Sequence, residues 1–257
     1  MRGYPERPAL VFLHFFGGSA RTWDPVLEEL QDFETLPLDL PGFGKAVGAS
    51  GPYSVAAYAD WVEDAVRACG IGDHVLIGHS MGGKIALALA ARRPAGLSAL
   101  VLLAPSPPTP EPIEEAMREK LIAGWGCYGP ASETLAQVTA HPLEGAIRER
   151  TIADMMGASR NAWAAWLQQG SREDISGCME RIEAPVRILS GDCDTILPTQ
   201  LIEQEVASRL ASAQLATVPG AGHLLPLEAP SAVAQAIRSA AEACSFEEMA
   251  SARQSCR

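Results

Sequence analysis

The sequence contains no run of basic residues, and acidic side chains predominate in it. Its 257 residues include 31 aspartates and glutamates against 20 lysines and arginines, a formal net charge of −11. Nucleic acids and anionic membrane surfaces both require a basic patch on the protein that binds them. We therefore expect no nucleic acid or membrane partner, and a small molecule as the ligand.

Long apolar segments are absent as well. No run of about 18 apolar residues, the length that a transmembrane helix needs, occurs in the chain. The residues from Met1 to Pro8 include no apolar stretch of the kind found in secretory signals. These absences predict a cytoplasmic protein.

Cysteine is present without the spacing that would give it a structural role. The six cysteines are scattered, with no C-x-x-C pair and no neighbouring histidine-rich spacing. Disulfide frameworks and zinc sites both depend on such spacing. The sequence therefore predicts reduced thiols, no metal site and no bound cofactor.

Apolar runs alternate with helical patterns along most of the chain. Continuous apolar strands separated by helices are typical of a parallel sheet that is covered on both faces. We predict an α/β fold of about six strands, at residues 8–14, 33–38, 74–77, 97–103, 186–190 and 213–218.

The alternation breaks after the fourth predicted strand. Residues 104–112 are rich in proline, which neither a helix interior nor a sheet interior tolerates, and only helical patterns follow as far as about residue 179. We interpret residues 105–180 as a helical cap inserted into a core formed by residues 1–104 and 181–245. Residues 246–257 are polar, and we expect a disordered tail there.

A pentapeptide at the end of the third predicted strand carries the main functional signal. Gly78-His79-Ser80-Met81-Gly82 is a G-x-S-x-G sequence that follows an apolar run and precedes a strong helix former. Such a pentapeptide also arises by chance in glycine-rich loops. Between a strand and a helix, it predicts a sharp turn that exposes a nucleophilic serine, Ser80.

A serine hydroxyl needs a base to take its proton. Of the five histidines, His223 lies in a Gly-Ala-Gly-His loop after the last predicted strand, at the sheet edge where ligands bind. We assign it as the base, and interpret His74 and His141 as surface or packing residues. A carboxylate must orient that base, and Asp192 and Asp194 both follow the preceding strand.

Five segments, in this order, resemble those of the α/β-hydrolase superfamily: residues 12–18 (FLHFFGG), 38–44 (LDLPGFG), 78–82 (GHSMG), 191–198 (GDCDTILP) and 220–223 (GAGH). The resemblance covers nearly the whole chain. It implies a mostly parallel sheet with an inserted helical cap, and a triad in the chain order serine, aspartate, histidine.

The resemblance also implies roles for individual residues. The family pattern G-x-x-D-x-x-x-P selects Asp194 and leaves Asp192 as a turn or cap residue. The oxyanion hole would use the backbone N–H groups of Met81 and Phe16. The family usually has glycine at the position of Phe15, and phenylalanine adopts a positive φ only at a cost.

Only thirteen residues precede His14, whereas the family usually has a β-hairpin before this strand. We therefore expect six strands instead of eight, with the strand at 33–38 near a sheet edge. An apolar edge strand invites pairing with another chain, so a homodimer through that edge is expected.

The predicted cap supplies apolar residues that we expect to face the substrate. At helical spacing, such residues also serve as packing. Lys84, just after the pentapeptide, is predicted to lie on a helix surface. The predicted substrate contacts are Phe15, His79, Trp125, Met155, Trp163 and Trp166.

The sequence thus predicts a cofactor-independent serine hydrolase that cleaves carboxylic esters with short- to medium-chain or aryl groups, or lactones. A serine at the turn distinguishes it from the related haloalkane dehalogenases and epoxide hydrolases, which carry aspartate there. The alternatives are a carbon–carbon hydrolase or lyase similar to the menaquinone-pathway synthase, an acyltransferase or perhydrolase, and a receptor-like binding protein with slow turnover.

Overall fold

A single sheet of six parallel strands organises the structure, a computed structural model that describes residues 7–255 and side chains as far as residue 244. The strand order is β2-β1-β3-β4-β5-β6. The predicted, mostly parallel sheet of about six strands is therefore confirmed. The strands are β1 (Ala9–Leu13), β2 (Thr35–Leu38), β3 (His74–His79), β4 (Leu97–Leu103), β5 (Val186–Gly191) and β6 (Ala213–Val218).

The central strands contain continuous apolar runs because helices cover both faces of the sheet, although β3 begins and ends with histidine. Every residue of β1 and β3 is buried, which explains why neither strand alternates between polar and apolar residues. The helices outside the β4–β5 connection are α1 (Asp24–Leu27), α2 (Val55–Ala68), α3 (Met81–Ala90), α8 (Thr199–Glu205), α9 (Leu225–Glu228) and α10 (Pro230–Ser255).

Four helices form an insertion between β4 and β5. They are α4 (Glu115–Ala123), α5 (Tyr128–Val138), α6 (Gly145–Gly157) and α7 (Arg160–Gln168). Helix α6 is tied to the loop after β1, because Asp154 accepts a hydrogen bond of 2.6 Å from the Ser19 hydroxyl and pairs with Arg21. We call α4–α7 the helical insertion.

Between β1 and β2 the chain forms α1 behind a short 3₁₀ turn that Ser19 caps. The C-terminal boundary differs from the sequence-based expectation. Helix α10 continues to Ser255, into the segment expected to be disordered; residues 256 and 257 lie outside the described part. Residues 246–255 contain neither glycine nor proline and are rich in helix formers, which favours this extension. Across residues 7–255, no helix has both the length and the apolarity needed to cross a membrane.

Strand β2 lies at one edge of the sheet, as predicted. Pro37 occupies its third position and pairs in register with Phe12 of β1. Proline donates no backbone hydrogen bond, so its presence weakens this edge as a template for pairing with another chain. The homodimer through this edge stays a prediction.

Lys84 is buried, and its predicted position on the helix surface is wrong. Its side chain is fully inaccessible on α3, and its ammonium group donates a hydrogen bond of 3.1 Å to the carbonyl oxygen of Thr109. The segment after β4 covers this face of α3, a covering that helical periodicity alone does not reveal. Burial lowers the pKa of Lys84 from 10.5 to about 8.

Substitution of Lys84 by methionine should change how the stability depends on pH. Between pH 8 and 10.5 the unfolded chain keeps the lysine proton and the folded chain releases it, so the free energy of unfolding rises with pH in this window. At about 1.36 kcal/mol per pKa unit, the rise amounts to about 3 kcal/mol. Urea unfolding of the wild type and Lys84→Met from pH 7.5 to 10.5 measures it.

The exposed Lys120 provides the control, because Lys120→Met removes a solvated ammonium group and should leave the pH dependence intact. A constant difference in unfolding free energy between the wild type and Lys84→Met across this pH range would show that burial does not lower the pKa of Lys84.

Candidate active site

Ser80 occupies a sharp turn between β3 and α3. Its backbone has φ 52° and ψ −114°, a conformation that residues other than glycine rarely adopt. The turn requires close backbone approaches on both sides: a Cβ on Gly78 would lie 2.5 Å from the carbonyl oxygen of Gly82, and one on Gly82 would lie 2.4 Å from that of Leu13. The strained turn presents the Ser80 hydroxyl at the carboxyl edge of the sheet.

A hydrogen-bonded chain links Ser80, His223 and Asp194. Nε2 of His223 lies 2.9 Å from Oγ of Ser80, and its Nδ1 lies 2.7 Å from Oδ2 of Asp194. Because a carboxylate accepts hydrogen bonds, Nδ1 carries the proton and Nε2 is free to accept the serine proton. All three residues are buried. This arrangement can deprotonate a serine hydroxyl and stabilise the resulting imidazolium ion.

The structure places Asp194, and not Asp192, against His223. Oδ1 of Asp194 accepts backbone hydrogen bonds from Ile196 (2.8 Å) and Leu197 (3.0 Å), which leaves Oδ2 facing the imidazole. Asp192 is exposed and accepts a 2.7 Å hydrogen bond from the N–H of Gly220. Asp192 therefore braces the loop that carries His223.

The backbone N–H groups of Met81 and Phe16 are the predicted oxyanion donors; Met81 directly follows Ser80, and Phe16 lies in the loop after β1. Met81 is the first residue of α3, where a helix N–H has no partner within the helix. Neither of the two N–H groups donates a hydrogen bond to another group within the described residues. Phe15 does not adopt a positive φ; Gly17 does, with φ 84°. The loop thus accommodates phenylalanine without strain at that residue.

Two other histidines near the site are neutral and structural. His14 donates from Nδ1 to the carbonyl of Phe15 (2.8 Å) and accepts at Nε2 from the N–H of Leu40 (3.1 Å); burial lowers its pKa to about 4. Nε2 of His79 lies 2.8 Å from the carbonyl oxygen of His223. Burial, with the charge of His223, holds the pKa of His79 well below its usual range. His223 alone of these faces Ser80.

A cavity of about 370 Å³ opens onto Ser80 and His223. Its walls come mostly from apolar side chains of the helical insertion and the loop after β1. The ring of Phe16 packs on that of Trp163 with centroids 4.2 Å apart, and Nε1 of Trp163 donates to the Leu121 carbonyl at 3.0 Å. Four of the predicted substrate contacts line the cavity: Phe15, Met155, Trp163 and Trp166.

The other two predicted contacts, His79 and Trp125, do not line this cavity. His79 lies behind the reacting groups, because its ring packs against that of Phe15 at 5.3 Å and its Nε2 bonds the His223 backbone. Trp125 turns away, because its Nε1 donates a 2.8 Å hydrogen bond to the carbonyl of Ala158.

Glu111 was missed by the sequence-based prediction. It lines the cavity with Glu114, and neither lysine nor arginine does so among the described residues. Burial raises the pKa of the Glu111 carboxyl. The sequence contains one signal for it. Glu111 is a carboxylate in the proline-rich segment that follows β4, and β4 ends at the carboxyl edge of the sheet. The described residues also contain no cluster of histidine, cysteine and acidic side chains that could hold a metal ion.

The two neighbouring aspartates make a matched pair for testing the orientation of His223. Asp194→Asn removes the negative charge that stabilises the imidazolium ion and favours the wrong tautomer, so labelling of Ser80 by a fluorophosphonate should slow by about 10⁴-fold. Asp192→Asn should change the rate by less than about 3-fold. Labelling rates from intact-protein mass spectrometry measure both. Equal effects of the two substitutions would contradict the assignment of Asp194.

Comparison with known proteins places this geometry in a family. The model of the Alpha/beta hydrolase family matches residues 10–236. A 2-succinyl-6-hydroxy-2,4-cyclohexadiene-1-carboxylate synthase from Enterobacter sp. (strain 638) is 30% identical over 246 residues, which cover 90% of this chain and 91% of that protein. The protein with the same name from Escherichia coli (strain SE11) is 27% identical and covers 90% of this chain and 92% of its own length.

Solved structures with the same fold include hydrolases. A thermophilic esterase from Thermogutta terrifontis is 26% identical, with a TM-score of 0.77 and coverage of 92% of this chain and 90% of that one. A hydrolase from Pseudomonas aeruginosa PA01 is also 26% identical, with a TM-score of 0.79 and coverage of 93% and 91%. The chain belongs to the alpha/beta hydrolase family.

Proposed function

We propose that the protein is a serine hydrolase that cleaves carboxylic esters. The observation that carries this proposal is the hydrogen-bonded chain of Ser80, His223 and Asp194 at one end of a mostly apolar cavity. An activated serine is the nucleophile of acyl transfer, and an apolar cavity suits the carbon chain or ring of an ester.

The catalytic steps follow from the positions of the atoms. Oγ of Ser80 attacks the ester carbonyl while Nε2 of His223 takes the serine proton, and Asp194 stabilises the imidazolium ion. The N–H groups of Met81 and Phe16 stabilise the oxyanion, and each such donor contributes about 10²- to 10³-fold to the rate. His223 then protonates the leaving alkoxide, and it activates the water that releases the acyl group.

The walls of the cavity support short- to medium-chain or aryl esters, including lactones, as substrates. Phe16, Trp163 and Trp166 form one aromatic wall, with the ring of Phe16 stacked at 6.5 Å from that of Trp166. Met155 lies beside it, and a thioether side chain adapts to different shapes. Aromatic faces favour planar rings as well as alkyl chains.

A lyase reaction is the second candidate, and the curated relatives favour it. The two synthases described above match this chain over at least nine tenths of its length, and this is the alternative that the sequence itself suggests. The name of these synthases describes a carboxylate product. In this chain the charged residues that line the cavity are Glu111 and Glu114, which would repel a carboxylate. The cavity charges therefore favour the ester hydrolase.

Hydrolysis of p-nitrophenyl esters from acetate to dodecanoate tests the proposal. We expect turnover with an optimum at short to medium chain length, because the cavity measures only about 370 Å³ and the helical insertion lines much of it. Ser80→Ala should lower kcat by about 10⁶-fold, since the nucleophile is lost and only substrate binding and the oxyanion donors remain.

A wild-type protein that hydrolyses none of these esters, although a fluorophosphonate still labels Ser80, would contradict the esterase assignment. The lyase candidate would then be preferred. Assay of the synthase reaction carried out by the relatives, with Ser80→Ala as the control, would test it directly.

A further inference from the structure

The segment between β4 and α4, residues 104–114, is fastened to its surroundings by polar contacts. The backbone N–H of Glu111 donates to the carbonyl of Ser171 (2.8 Å), and Nη2 of Arg118 donates to the carbonyl of Glu111 (3.2 Å). Lys84 holds the same segment through the carbonyl of Thr109. The backbone that carries Glu111 is therefore fixed on both sides, and its side chain is presented to the cavity in a defined place.

The Glu111 carboxyl is also connected to the nucleophile through one residue. The hydroxyl of Ser106 donates to Oε1 of Glu111, and the backbone N–H of Ser106 donates to the carbonyl oxygen of Ser80 at 3.0 Å. Oε2 of Glu111 accepts no hydrogen bond from the protein within the described residues. One oxygen is thus anchored, and the other is available to a ligand in the cavity.

The charges around the cavity favour a cation as that ligand. The charged residues among its lining are Glu111 and Glu114, whereas Lys84 and Arg118 contact the backbone of residues 109–113 and do not line it. A carboxylate with an unused oxygen forms a short charge-assisted hydrogen bond with an ammonium group. A neutral ligand would leave that oxygen without a strong donor, and an anionic one would be repelled.

We infer that Glu111 is a specificity-determining residue that binds an ammonium group on the substrate through Oε2. The inference rests on the proposed ester hydrolase function and names its substrate class: esters that carry a protonated amine on the portion occupying the cavity. Ser106 has a positioning role, because it fixes the rotation of the Glu111 carboxyl relative to the turn at Ser80.

Three p-nitrophenyl esters of equal chain length test the inference: the 6-aminohexanoate, the heptanoate and the monoester of heptanedioate. Their acyl chains end in an ammonium, a methyl and a carboxylate group, respectively. For the wild type, we expect kcat/KM to be about 10-fold higher for the ammonium ester than for the methyl ester, and about 10-fold lower for the carboxylate ester.

Glu111→Gln removes the negative charge and keeps an oxygen that can accept from Ser106. It should reduce the ratio of kcat/KM between the ammonium and methyl esters to within about 2-fold, because an uncharged NH₂ group, which donates hydrogen bonds, takes the place of the unused oxygen. Using the ratio cancels any change in reactivity that both esters share. The control is Glu119→Gln, which removes the same charge from an exposed position on α4 outside the cavity and should preserve the ratio.

The pH dependence of this ratio gives a second readout. Only ionised Glu111 attracts the ammonium group, so the preference should rise as pH increases through the carboxyl pKa, which burial raises. Lys84 from α3, Arg118 from α4 and His223 from the loop after β6 are the charged groups that act against this rise in pKa.

An equal ratio in the wild type and Glu111→Gln would overturn the inference, as would loss of the preference in Glu114→Gln alone.

If no ester is hydrolysed, the proposed function fails, and a binding experiment tests the role of Glu111 separately. Isothermal titration of Ser80→Ala with hexylammonium and with hexanoate should then show at least about 10-fold tighter binding of the cation. Adding Glu111→Gln should remove the difference; no difference before that substitution would refute the assignment.

Discussion

The strained turn at Ser80 is the constraint on which the site depends. The carbonyl oxygen of Ser80 accepts from Gly83 (2.8 Å) at the start of α3 and from Ser106 (3.0 Å) in the segment after β4. The backbone N–H of Ser80 donates to the carbonyl of Leu103, the last residue of β4, at 3.0 Å. One residue thereby connects β4, α3 and the segment that carries Glu111. This cross-linking stabilises the strained backbone at Ser80 and determines where the hydroxyl, the oxyanion donors and the cavity lie relative to one another.

The parts of the site that obey local rules could be predicted from the sequence. A glycine-flanked serine between a strand and a helix has one geometry, so Ser80 and the start of α3 follow from the pentapeptide together with the apolar run before it and the helix former after it. The six-stranded parallel sheet follows equally from continuous apolar runs. Between Asp192 and Asp194, spacing within the family pattern favours Asp194, which the structure places against His223 at 2.7 Å.

Features that depend on how the insertion packs on the core could not be predicted. Lys84 has an ordinary place in the helical pattern of α3, but the segment after β4 covers it completely. Trp125 and Trp163 are equally apolar, yet their indole groups donate to the carbonyls of Ala158 and Leu121, and only Trp163 faces the cavity. Periodicity identifies a buried face. It does not show whether that face packs against one neighbouring element or against another.

For the same reason, membership of the family does not determine which reaction the protein catalyses. Members of one fold share the nucleophile turn because the backbone geometry demands it, whereas the substrate is selected by side chains that the fold leaves free to vary. Among the described residues, those side chains combine an aromatic wall with two carboxylates and neither lysine nor arginine. A carboxylate-bearing ligand would lose its hydration there and meet like charge, at a cost that an apolar contact does not offset. The overall identity of 30% to a synthase favours the lyase reaction, whereas the cavity charges bear on which substrate the shared nucleophile can receive.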